Sequence, residues 1–170
     1  MIESASAGRQ RYAVEALRRD PDSDLTKGWY QWGSMALYEL ATSGWPDTEE
    51  YGDTVLDLAD WMIDVHHTLR RMRNTAYAHE GIAHAYALAE RRGDTEHVEK
   101  FRCTIERGLE KLTSWQIGSP IAIPYVRRAP ADDPRALGGV QNHAAEALLR
   151  IDVVQHQMHA AVLARRWVFR

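Results

Sequence analysis

Cysteine occurs once in the 170 residues, at Cys103, so no intrachain disulfide can form and a reducing, cytoplasmic setting is expected. Cys103 falls inside a helical pattern and reads as a small core or boundary residue. Lysine is scarce too, three residues against 18 arginines, a bias that hints at a GC-rich bacterial genome. No apolar run approaches the roughly 20 residues that span a bilayer, and the first residues lack the apolar core of a secretory leader. Neither a membrane nor a leader is therefore expected. Charge of one sign is also missing. A net charge of −3 argues against a surface built to hold nucleic acid. The chain has no phosphate loop, dinucleotide fingerprint, serine-nucleophile elbow, HExxH pair or cysteine–histidine spacing, so neither metal nor cofactor is expected. What remains is ordinary globular composition, 45% hydrophobic and 26% charged, over a length that suits one domain spanning 1–170.

Helical periodicity fills most of that length, with no sustained strand alternation between hairpin turns. The spacing predicts helices over about 5–19, 27–43, 48–69 and 75–92. A further helix is capped by Thr95, and a last helical region covers about 141–168, broken near residues 149–150. The second helix is apolar nearly all round (Trp29, Trp32, Met35, Leu37, Leu40). The third carries one stripe of Tyr51, Val55, Leu58, Ala59 and Met62. Gly93 closes the fourth helix, and Val98, Phe101, Ile105, Leu109 and Leu112 form one face of the fifth. Asp152 with Gln155 has the spacing of a capping box that would start a helix. Between 118 and 140, four of the six prolines and the pair Gly138–Gly139 break the pattern, as in a surface connection or a functional loop.

A repeat organises these helices. Asp47-Thr48-Glu49 returns as Asp94-Thr95-Glu96, 47 residues on, and Tyr38-Glu39-Leu40-Ala41 returns as Tyr86-Ala87-Leu88-Ala89, 48 residues on. A period of this size implies stacked antiparallel α-hairpins that bury their faces against neighbours. The fold class is all-α. Helices 27–43 and 75–92 are apolar on more sides than their partners, which suggests an inner layer and an outer one.

The stretch Trp29-Tyr30-Gln31-Trp32, Met35-Ala36-Leu37-Tyr38-Glu39-Leu40 and Leu58-Ala59-Asp60-Trp61-Met62 resembles (α/α) toroid proteins. These include six-hairpin glycosidases, sugar epimerases of that fold, and terpenoid-cyclase and prenyltransferase-like toroids. Gly138-Gly139 followed by Arg150-Ile151-Asp152-Val153-Val154-Gln155-His156 is similar to a C-terminal motif of the same group. The resemblance implies about half of a six-hairpin ring, its C-terminal part, completed by a missing toroid half or by self-association. It also implies a pocket at one end of the ring. The catalytic candidates there are Glu80, Asp152 and His156, and the substrate-binding candidates are Tyr30, Trp32, Tyr77, His79 and Arg150. The implied activity is carbohydrate-active or cyclase-like acid/base chemistry on a polar, sugar-containing substrate. For glycoside hydrolysis Glu80 and Asp152 would be the carboxyl pair.

Each candidate has a plainer reading beside it. Asp152 and Gln155 are explained by capping alone. Trp29 and Trp32, three apart, fit an ordinary packed stripe as well as a sugar platform. His66 and His67 are adjacent and point to different sides, whereas Glu80 with His84, and His156 with His159, share a helical face. Arg70, Arg71 and Arg73 suit a solvated helix end. The other function class open to the chain is a non-catalytic helical-repeat module that engages a protein or peptide partner.

Overall fold

The computed structural model describes residues 24–128 and 133–170; the helix expected over about 5–19 lies outside them. The described chain is mostly helical. Helix α1 spans Asp24–Thr42 and α2 spans Tyr51–Asp60, continued by a π-helical turn over Trp61–Val65 and a 3-10 turn over Thr68–Arg70. Then follow α3 (Ala76–Arg92), α4 (Thr95–Ser114), the short α5 (Pro124–Arg128), strands β1 (Gln141–His143) and β2 (Glu146–Leu149), and α6 (Ile151–Trp167).

Helix α3 is the axis of the packing: it touches α1, α2, α4 and α6. Its sequence explains why. Six alanines and Gly81 in 17 residues combine high helix propensity with the smallest side chains, so four helices can approach it closely. Burial is unbroken from Ala78 to Ala89. At Gly81 the approach is so close that an added Cβ would lie 2.6 Å from the Tyr30 ring. The Tyr30 hydroxyl donates to the Ala78 carbonyl at 3.2 Å, which ties α1 to α3. The one-sided helices α2 and α4, with the π-helical turn that continues α2, supply Tyr51, Val55, Met62, Phe101, Ile105 and Leu112 to the core, as their stripes predict.

Five local expectations differ from the structure. The helix expected over 48–69 ends in the π-helical turn at Val65, and His67 adopts a left-handed φ of 54°. There the chain turns to bury His66, which stacks on Trp61 and bonds the Tyr77 hydroxyl at 3.2 Å. Asp94, not Thr95, caps α4: its carboxylate accepts from the His97 backbone N–H at 3.2 Å, the stronger N-cap choice. Residues 141–149 form an antiparallel hairpin instead of helix, and α6 starts at Ile151 without a capping box. The Asp152 carboxylate bonds the Arg150 guanidinium twice, at 2.7 and 3.0 Å. Finally, Cys103 is exposed, since it sits on the wet side of α4.

The hairpin is held from two sides. The Asn74 N–H donates to the Asn142 carbonyl at 2.7 Å, and the Ala144 N–H donates to the Met72 carbonyl at 2.9 Å. On the other side the Gln141 N–H donates to the Trp115 carbonyl at 3.2 Å. Segment 72–74 is thus pinned at the N-terminus of α3, beside the start of α6. That is where the cleft opens.

Candidate functional site

A cleft of about 310 Å³ lies between the first turns of α3 and α6, the N-terminal part of α1 and the hairpin. Its walls include Lys27, Gln31, Arg73, Asn74, Tyr77, Asn142, Arg150, Asp152 and His156. Four of the eight site residues read from the sequence meet here: Tyr77, Arg150, Asp152 and His156. Glu80 does not line the cleft, because its side chain is 0% exposed; it stands behind His156. The other three lie elsewhere. Tyr30 is in the core on Gly81, and Trp32 is 61% exposed on the outer side of α1. His79 faces α4, where its ring fills the space beside Gly108. Nor do the described residues of 118–140 line the cleft; the hairpin supplies that wall through Asn142.

The chemistry centres on Glu80. Its Oε1 lies 3.2 Å from Nδ1 of His156 and 3.2 Å from Nδ1 of His159, so both α6 imidazoles converge on one carboxyl oxygen. The i, i+3 spacing that puts His156 and His159 on one helical face is the signal for this convergence. Gln31 Nε2 lies 3.1 Å from the same Nδ1 of His156. Glu80 Oε2 is buried with no hydrogen-bond partner. Burial pushes the Glu80 carboxyl up to about 8, and burial also holds His156 below the usual imidazole value.

These contacts restrict where protons sit. If Gln31 donates to Nδ1 of His156, that nitrogen carries a lone pair, and Glu80 must be protonated to lie 3.2 Å away without repulsion. If Nδ1 carries the proton, it donates to an ionised Glu80, whose carboxyl Gln31 also bonds. The contact accommodates a proton on either Glu80 or His156. With Nδ1 engaged inside, Nε2 is the ring nitrogen left for the cleft. His84 closes the cluster from below: its Nδ1 lies 2.8 Å from the Glu80 backbone carbonyl, and burial lowers its pKa.

The rim is cationic. Lys27, Arg73 and Arg150 line it together with one carboxylate among the described residues, Asp152, which Arg150 holds. Lys27, Asn74 and Asn142 did not stand out in the sequence, Gln31 figured there only within the Trp29–Trp32 stretch, and Arg73 only as part of a solvated helix end. No group of three or more histidine, cysteine or acidic side chains suited to a metal ion is found among the described residues. No helix among the described residues is long and apolar enough to cross a membrane. No family model, curated protein or solved structure matches the chain, so its own geometry carries the functional argument.

Proposed function

We propose that this chain is part of a helical toroid enzyme whose cleft performs acid/base chemistry on a polar, sugar-containing substrate in the cytoplasm. The observation that carries the reading is the 3.2 Å contact of the buried Glu80 carboxyl with His156 at the cleft wall. A buried carboxyl with a raised pKa, in contact with an imidazole at the mouth of a polar cleft, is how proton-transfer groups are prepared near neutral pH. His156 Nε2 exchanges a proton with substrate, and Glu80 takes or returns one at Nδ1, so the imidazole need not carry a lasting charge. Asp152 offers a carboxyl on the cleft wall itself. Such chemistry uses side chains alone. The packing of successive helices, α1 on α2 and α3 on α4, is what supports a partial ring completed by a second copy or a missing half.

The test is turnover of a panel of p-nitrophenyl glycosides and short oligosaccharides between pH 5 and 9, in wild type and His156→Ala. The expected result is an activity that the substitution lowers by roughly 100-fold, the scale of one general acid/base. If no sugar is turned over or bound by the wild type, the reading fails. A second reading, a binding module for a protein or peptide, is favoured by one observation. Ile151, Met158 and Val162 lie along one exposed side of α6. It predicts partner binding that survives His156→Ala.

A further inference from the structure

The Glu80 side chain is 0% exposed and does not line the cleft, so a proton that it gains or loses has to pass through a neighbouring group. Gln31, from α1, bonds the carboxyl, but an amide does not hand protons on. Tyr30, also from α1, spends its hydroxyl on the Ala78 carbonyl. His84, one turn along α3, has Nδ1 committed to the Glu80 backbone carbonyl at 2.8 Å. The two imidazoles of α6 are different: each places Nδ1 3.2 Å from Glu80 Oε1. They also face different surroundings. His156 stands on the cleft wall, its side chain 22% exposed. His159 lies almost one helical turn farther from the cleft end of α6 and is not part of the described wall, yet its side chain is 41% exposed. A path therefore runs from the cleft through a buried carboxyl to water outside the cleft, with one imidazole at each end.

We propose that His159 is the proton relay of this site, passing protons between Glu80 Oε1 and solvent while His156 faces the substrate. The inference rests on the acid/base reading and adds the route by which the Glu80–His156 pair is recharged. Each turnover that gives a proton to a leaving group, or takes one from an attacking water, leaves that pair one proton short or one over. A substrate or product in the cleft covers His156, so bulk water cannot restore the count from that side. At the outer end, solvent protonates Nε2 of His159 while its Nδ1 proton moves to the Glu80 carboxylate. In the reverse direction the Glu80 proton moves to Nδ1, and water takes the one on Nε2. Only N–H and O–H bonds form and break, and the His159 ring ends neutral either way.

The experiment uses whichever compound of the glycoside and oligosaccharide panel the wild type turns over fastest. Rates are compared for wild type, His159→Ala and His159→Gln, with imidazole buffer raised at constant pH and ionic strength. The expected result is a kcat lower by roughly tenfold in both variants, a smaller loss than in His156→Ala, with KM unchanged because His159 does not line the cleft. Imidazole restores kcat in His159→Ala, where it enters the vacated space, and not in His159→Gln, where the amide fills it. An unchanged kcat in both variants overturns the relay and leaves the acid/base reading standing. So does a loss in His159→Ala that imidazole does not repair, which would be a structural effect, or a rise in KM alone, which would put His159 on the substrate. No turnover by the wild type overturns the acid/base reading and the relay with it.

Discussion

Glu80 is a carboxyl group that the fold removes from water and gives two imidazoles instead of a cation. Ionising it there is costly, which is why its pKa rises to about 8 from 4.5. The consequence for stability has a definite sign. Between pH 4.5 and 8 the folded chain holds a proton that the unfolded chain has lost, so stability present below 4.5 is lost as pH rises through 8. Glu80→Gln keeps the shape and cannot ionise. It should match wild type near pH 5 and exceed it at pH 9 by roughly 2–4 kcal/mol, given about 1.4 kcal/mol per pKa unit and some relief from the imidazoles. Urea melts at the two pH values check this. A constant difference would show that Glu80 is ionised throughout. His79 is a simpler case. Both its ring nitrogens are buried without partners, and burial lowers its pKa to about 3. His79→Leu removes two unsatisfied polar atoms at similar volume and should stabilise the fold by about 1–3 kcal/mol, most clearly at pH 5, where the unfolded imidazole is charged. A loss of stability at pH 5 would mean that the ring has a partner in solution.

At the scale of elements, caps and turns decide where helices stop, and they were legible to different degrees. Gly93, with φ of 71°, ends α3 where the sequence places it, because a left-handed residue there favours glycine. The start of α4 was found to within one residue. Asp94→Ala, which removes the capping carboxylate and its contact with His97, should cost about 1 kcal/mol by chemical denaturation; no change would mean that Thr95 serves instead. Segment 141–149 was misread for a physical reason. Ala144-Ala145-Glu146-Ala147-Leu148-Leu149 is a run of strong helix formers, yet propensity amounts to a few tenths of a kcal/mol per residue and a short helix must still nucleate. Backbone bonds to Met72, Asn74 and Trp115 outweigh it. Those partners lie far off in sequence, and nothing local announces them. The same limit applies to the site. His156, Arg150 and Asp152 form a compact motif and were readable, whereas Gln31 and Asn74 join it only through the packing of α1 and the hairpin against α3. Tyr30 and His79 are spaced like site residues but face other helices.

The whole molecule concentrates its buried titratable groups on and around α3, which makes its stability sensitive to acid. His66 is held at about 4 and His79 at about 3, both by burial, and His84 is lowered for the same reason. Groups depressed in this way stabilise the fold above 6.5, and that contribution is lost as pH falls from 6.5 towards 4. Glu80 acts in the opposite sense as pH rises to 8, so stability should be greatest near about pH 6.5. The surface makes a second demand. Along α6, Met158 is 65% exposed, Val162 57% and Ile151 89%, positions that share one side of the helix at spacings of seven and four. Its opposite side, through Val153, Gln157, Ala160 and Ala164, is buried, so the exposed stripe is a second apolar face on a helix already packed. In a closed ring of hairpins the last helix would meet the next unit there. Apolar stripes of this kind commonly mark an interface. The wild-type chain should therefore associate at tens of micromolar in light scattering. The double substitution Met158→Glu and Val162→Glu should return it to a monomer with an unchanged far-UV spectrum, since neither side chain enters the core. A wild type that stays strictly monomeric at millimolar concentration would show that the stripe is covered within the chain itself and offers no surface to a second copy.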